Sequence, residues 1–138
     1  MIRTTQESFE AKAKGEKNQQ ELADRLREAF PQHADSIRST PMSAHGEDIQ
    51  ILTPEARKDI PFSFEAKFRE KGYTHTYDAL EQAARQEHAV SSTLSNTPVA
   101  AIQQKGYKRL IVLYEDDVLN LTIIRAKYFE LIEKKDNI

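Results

Sequence analysis

The succession of periodicities in this sequence predicts an α/β chain, ordered as helix, several strands, helix, two strands, helix. Three observations carry that prediction. Leu22, Leu26, Ala29 and Phe30 recur at helical spacing. Asp48–Leu52 and Ile60–Phe68 alternate with the period of a strand. Val99–Ile102 and Leu110–Tyr114 form two apolar runs on either side of a turn at Lys105-Gly106.

The elements follow in order. Residues 1–17 are polar and lysine-bearing, and read as an N-terminal segment that is frayed or loosely helical. Residues 18–138 read as a single domain. Its first helix starts near Asn18 and stops at Pro31, because the residue before a proline avoids helical dihedrals. Thr53–Asp59 reads as a polar turn region between the two alternating strands. In the second of these strands Phe62, Phe64 and Ala66 share one face, while Ser63, Glu65 and Lys67 share the other. Thr76 can cap a second helix carrying Ala79, Leu80, Ala83 and Ala84. Ser91–Pro98 reads as a loop. Asp116 can cap a last helix with Val118, Leu121, Ile124, Tyr128 and Leu131 on it.

The bulk composition bounds the function. A chain of 138 residues suits one domain and can bury roughly two thirds of its unfolded surface. With no cysteine, disulfides and thiolate metal sites are excluded. The longest apolar run, Leu110–Leu113, is far short of a membrane span, and the N-terminus lacks the apolar core of a signal peptide. A soluble, cytoplasmic protein is expected. A formal charge of −2 argues against a purely electrostatic DNA binder. It weighs less against a metal-dependent enzyme, whose carboxylates are offset by bound cations.

The strongest chemical signal is Glu65-Ala66-Lys67 on a strand, with Asp48 at the mouth of the strand before it. Residues two apart in a strand point the same way, so Glu65 and Lys67 share a face. If the two strands pair, Asp48 approaches Glu65 across the sheet. Two carboxylates, Asp48 and Glu65, with the Ala66 carbonyl and water, make an oxygen-only site suited to Mg2+, with Mn2+ as a substitute. Lys67 beside it could orient an attacking water and offset charge on a phosphate. The four histidines, His33, His45, His75 and His88, have no metal-ligand spacing.

Several blocks recur in a familiar order. They are Lys14-Gly15 leading into Glu21-Leu22-Ala23; Arg38–Ser43; Gly46-Glu47-Asp48-Ile49; Pro61–Lys67; Ala79–Ala83; Thr97-Pro98-Val99; and Asp116–Leu119. In that order the chain resembles the small phage and archaeal nucleases of the PD-(D/E)xK superfamily, among them Holliday-junction resolvases. The likeness covers roughly residues 14 to 121. It implies a restriction-endonuclease-like fold, a central mixed β-sheet flanked by helices in the order α-β-β-β-α-β-β-α. It also implies a phage- or prokaryote-encoded, Mg2+-dependent endonuclease that cuts branched DNA as a homodimer. Asp48, Glu65 and Lys67 would be the motif's catalytic residues, with Gln82 as the glutamine that often stands behind the site.

Two positions depart from the pattern. Glu47 stands where the superfamily's name has proline, and Gln19 stands where a first-helix glutamate often assists the metal. Gln19 could still hold a metal-bound water or a phosphate through its amide, while Glu21 lies about 200° around the helix. Arg38, Arg69 and Lys71 are candidate DNA contacts, since Arg69 and Lys71 continue the face of Glu65 and Lys67. The competing readings are a general phage nickase or recombination nuclease, and a non-catalytic DNA-binding subunit. The apolar stripe from Val118 to Ile132 suits either a dimer interface or packing on the chain's own sheet.

Overall fold

Thr4 caps the first helix with a capping box. Its hydroxyl accepts the Glu7 N–H at 3.1 Å, and the Glu7 carboxylate accepts the Thr4 N–H at 2.9 Å. From there α1 runs Thr5–Ala29 without a break in the computed structural model, which describes residues 4–42, 44–86 and 96–136. The polar segment read over 1–17 is therefore, from Thr5 onward, the first half of α1. Pro31 ends the helix as expected and opens a 3-10 helix, Pro31–Ser36.

The other α-helices among the described residues are α2 (Pro54–Asp59), α3 (Thr74–Arg85) and α4 (Glu115–Asp136). The strands are β1 (Ile37–Ser39), β2 (Ile49–Ile51), β3 (Ala100–Ile102) and β4 (Leu110–Val112). The expected central mixed sheet is absent among the described residues. Of the described residues 58% are helical, the 3-10 helix included, and their strands form two separate two-stranded antiparallel sheets, β1–β2 and β3–β4. Ile60–Phe68, expected as a third strand, runs extended from Pro61 but forms no ladder. Thr53–Asp59, expected as a turn, is capped by the Thr53 hydroxyl on the Ala56 N–H and folds into α2. Part of the loop read over Ser91–Pro98, and His88 and Ser43, lie outside the described residues.

The chain divides into two compact units. One comprises Met1–Arg69 with Thr122–Ile138, the other Glu70–Leu121. The first holds most of the core: Ala23, Leu26 and Phe30 of α1 and its end, Ile37, Ile49 and Ile51 of the β1–β2 pair, and Ala56 and Ile60 of α2 and its end. Each large side chain buried there contributes about 1.5–3 kcal/mol. The register pairs Ile37 with Ile51 and Ser39 with Ile49, so both pairs share one face, and α1 packs on β1. His33 and Asp59, 2.7 Å apart, tie the 3-10 helix to the end of α2.

The C-terminal part of α4 packs on the same α2 end. Lys58 pairs with Glu133 and stands 5.4 Å from the centre of the Phe129 ring. The Arg125 guanidinium lies 4.5 Å from the same ring and donates to the Lys58 carbonyl at 2.6 Å. In the second unit, α3 packs on β3, and Gly106 turns the β3–β4 hairpin at φ 86°. No helix of the described residues is long and apolar enough to cross a membrane.

Candidate active site

Asp48 stands one residue before β2 and is held from three sides. Its carbonyl accepts the Thr40 N–H at 2.9 Å, and its N–H donates to the Phe64 carbonyl at 3.2 Å. Its Oδ2 accepts the Ala66 N–H at 2.7 Å. The first bond continues the β1–β2 pairing by one step. The other two draw the extended segment after α2 alongside the start of β2. Residues two apart in an extended segment turn their backbone groups to the same side, which is why Phe64 and Ala66 both face Asp48.

Glu65 and Lys67 flank Ala66 and share the alternate face, as the alternation predicts. Lys67 Nζ lies 3.2 Å from Glu65 Oε1, and both side chains are largely exposed, at 72% and 66%. An ion pair so open to water contributes little to stability, so it can exchange partners at small cost. Glu47, the residue in the proline position, is a bracket. It accepts from the Ser63 hydroxyl at 3.0 Å and pairs with Arg57 at 3.2 Å, fastening the extended segment and α2 to the turn before β2.

Gln19 is 4% exposed and faces β1. Its Nε2 donates to the Thr40 carbonyl at 2.6 Å and to the Ser39 hydroxyl at 2.9 Å. That amide group is engaged with β1 rather than directed to a phosphate. Glu21 points away, exposed beside Lys17. Thr40, a member of the Arg38–Ser43 block with no role assigned above, joins the parts. It accepts from Gln19, donates its N–H to Asp48, and donates its hydroxyl to the Glu47 carbonyl. A line of hydrogen bonds thus runs from α1 through the end of β1 to Asp48 and on to Ala66.

Arg38 is exposed on β1, its side chain on the alternate face from Ile37. Arg69 is exposed at the end of the first unit. Lys71 and Gln82, both exposed, belong to the second unit, Gln82 on α3. That unit also has a cleft of about 620 Å³ lined by His75, Tyr107 and Lys108 among others, and none of the expected site residues borders it.

Among the described residues there is no group of three or more His, Asp or Glu side chains that could hold a metal. What Asp48 and Glu65 can offer is a two-carboxylate, oxygen-only donor set completed by backbone oxygen and water. Mg2+ accepts such a set because it usually keeps several of its waters. Compared with protein-family models, curated proteins and solved structures, the chain matches none of them. The resemblance to PD-(D/E)xK nucleases therefore rests on the blocks quoted above, and its fold does not hold for this chain.

Proposed function

We propose that this chain is a metal-dependent nuclease that hydrolyses DNA phosphodiesters with Asp48, Glu65 and Lys67. One observation carries the reading: the Asp48 carboxylate takes the Ala66 N–H and so keeps the Glu-x-Lys segment beside it. Nothing in the packing of the first unit requires Glu65 or Lys67, since both are exposed. Asp48 could have been any residue able to accept that one bond.

Asp48 Oδ1 and the Glu65 carboxylate would hold Mg2+ with the Ala66 carbonyl, and Mn2+ would fit the same oxygens. When bound, the cation supplies charge stabilisation at the phosphate. Glu65 would leave Lys67 to do this, and the freed ammonium would face the phosphate as a mobile point charge. Asp48, fixed by three hydrogen bonds, would set the position of the centre, and Gln19 would act only by holding Thr40. The preferred substrate would be branched DNA, the class that the resemblance implies.

The test is a cleavage assay with the purified chain on four-way junction, flap, linear duplex and single-stranded DNA. Cleavage is expected with Mg2+ or Mn2+ and none with chelator present. Binding without cleavage under any divalent cation would move the chain to the non-catalytic reading. Equal cutting of junction and linear duplex would remove the branched-DNA preference and leave the chemistry.

A further inference from the structure

The cleft in the second unit takes no part in the chemistry proposed above, and all of its lining lies within that unit. Its volume of about 620 Å³ is in the range usual for small-molecule sites. The apolar part is a cross-strand pair. Ile102 of β3 stands directly opposite Leu110 of β4, so the two side chains share one face of the hairpin. Tyr107 adds an aromatic ring that is 67% exposed. Its backbone is pinned on both sides: the Tyr107 N–H donates to the Gln104 carbonyl at 3.0 Å, and Gln103 Nε2 donates to the Tyr107 carbonyl at 3.1 Å. The ring is thus presented to water from a fixed turn.

Polar groups converge on the same space. His75 comes from the first turn of α3, and Gln104 and Lys108 come from the hairpin. Among the described residues, none of these three side chains has a hydrogen-bond or ion-pair partner. No carboxylate lines the cleft. Residues 99–114 carry Lys105, Lys108 and Arg109 but no Asp or Glu, a local positive excess in a chain of net charge −2.

We propose that this cleft binds a nucleotide, its base stacked on Tyr107 over the Ile102–Leu110 pair and its phosphate held by Lys108. An uncharged ring would leave Lys108 without a partner, and an inorganic anion would leave Tyr107 and Leu110 in water. A planar base carrying a phosphate uses both halves of the cleft. Aromatic side chains stack on any base, and a lysine meets a phosphate as a mobile point charge. The Gln104 amide offers both a donor and an acceptor to a base edge, and His75 offers a further donor to the phosphate. A free mononucleotide and an unpaired nucleotide within a strand present this same chemistry. Asp48 and Glu65 take no part in it, so it stands or falls apart from the cleavage reaction.

Calorimetric titration of the full chain with AMP, adenosine, inorganic phosphate and the single strand dA12 tests it, with chelator present so that no cation bridges a phosphate to a carboxylate. AMP is expected to bind with Kd below about 1 mM, and adenosine and phosphate each at least about tenfold more weakly. Tyr107→Ala should weaken AMP at least about tenfold, and Tyr107→Phe should stay within about threefold of the start, because the ring and not the hydroxyl does the stacking. Lys108→Gln should weaken AMP to the level of adenosine and leave adenosine unchanged. Both side chains are exposed, and circular dichroism checks that each variant is folded. If dA12 binds at least about tenfold tighter than AMP, the nucleotide comes from a strand; comparable affinities assign a free mononucleotide. No saturable binding of AMP or dA12 below about 1 mM, AMP and adenosine bound equally, or full affinity in Tyr107→Ala would each overturn the proposal.

Discussion

Asp48→Asn is expected to cost about a hundredfold or more in Mg2+-dependent cleavage, the scale on which loss of one electrostatic contact at a reacting centre acts. The substitution is chosen for what it keeps. Asparagine retains an oxygen that can accept the Ala66 N–H, and the Asp48 backbone bonds to Thr40 and Phe64 are untouched. It removes the negative charge that would draw a cation. Alanine is a less clean probe, because it orphans the Ala66 N–H at a cost of about 1–3 kcal/mol and loosens the Glu65–Lys67 segment as well. Cleavage rates and thermal melts of the two variants separate the effects. The asparagine variant should melt close to the parent and be inactive, whereas the alanine variant should melt lower and be inactive too. An asparagine variant that cuts at the parent rate would remove Asp48 from the chemistry and leave it a structural clasp.

Gln19→Glu is expected to destabilise the fold by about 3 kcal/mol, although it changes one atom and would supply the first-helix carboxylate of the resembling nucleases. The reason is direction. Gln19 donates its amide protons to the Thr40 carbonyl and the Ser39 hydroxyl in a nearly closed site. An ionised glutamate has no proton to give and would set its charge against the Thr40 carbonyl oxygen. Gln19→Ala, which loses the bonds without adding charge, should cost about 2 kcal/mol. Glu21→Ala should stay within about 0.5 kcal/mol, since Glu21 is exposed in a weak pair with Lys17. Urea unfolding with matched slopes measures all three. A Gln19→Glu chain as stable as its parent and more active would show that this position faces the reaction after all.

Some of this molecule is written plainly in its sequence. The stripe of Leu22, Leu26 and Phe30 marks the part of α1 that packs, and the alternation of residues 62–67 separates Glu65 and Lys67 from Ala66. The antiparallel β3–β4 pairing follows from two apolar runs around Gly106. The first half of α1 faces mostly solvent, so no apolar period reveals it. Its local signal is the Thr4-x-x-Glu7 capping box. Six residues are too few for a helical period, so α2 is marked only by the Thr53 cap and Pro54.

The absence of a central sheet could not be read from residues 60–68. Alternation reports that a segment is extended and two-faced; it does not report which neighbour completes a ladder. Here the neighbour is essentially a single residue, Asp48. The site's support was hidden for a similar reason. Gln19, Thr40 and Asp48 are far apart in sequence, and each is a common surface residue type until the fold closes around it.

The two hairpins differ in what covers them, and this bears on how they breathe. Ile37, Ile49 and Ile51 are buried in a pair whose β1 strand packs on α1, whereas on β4 Leu110 and Ile111 lie open to water at 59% and 58%. A two-stranded ribbon is marginal by itself, and here α3 covers β3 while much of β4 stays in water. The amide protons of β3 and β4 should therefore trade with solvent deuterium through brief local openings of the second unit. Those of Ile37, Ile49 and Ile51 that bond across the first hairpin should wait for rarer, larger openings of theirs. The chain would then carry two clocks: a slow one set by the unit that holds Asp48, and a fast one set by the unit that holds Gln82.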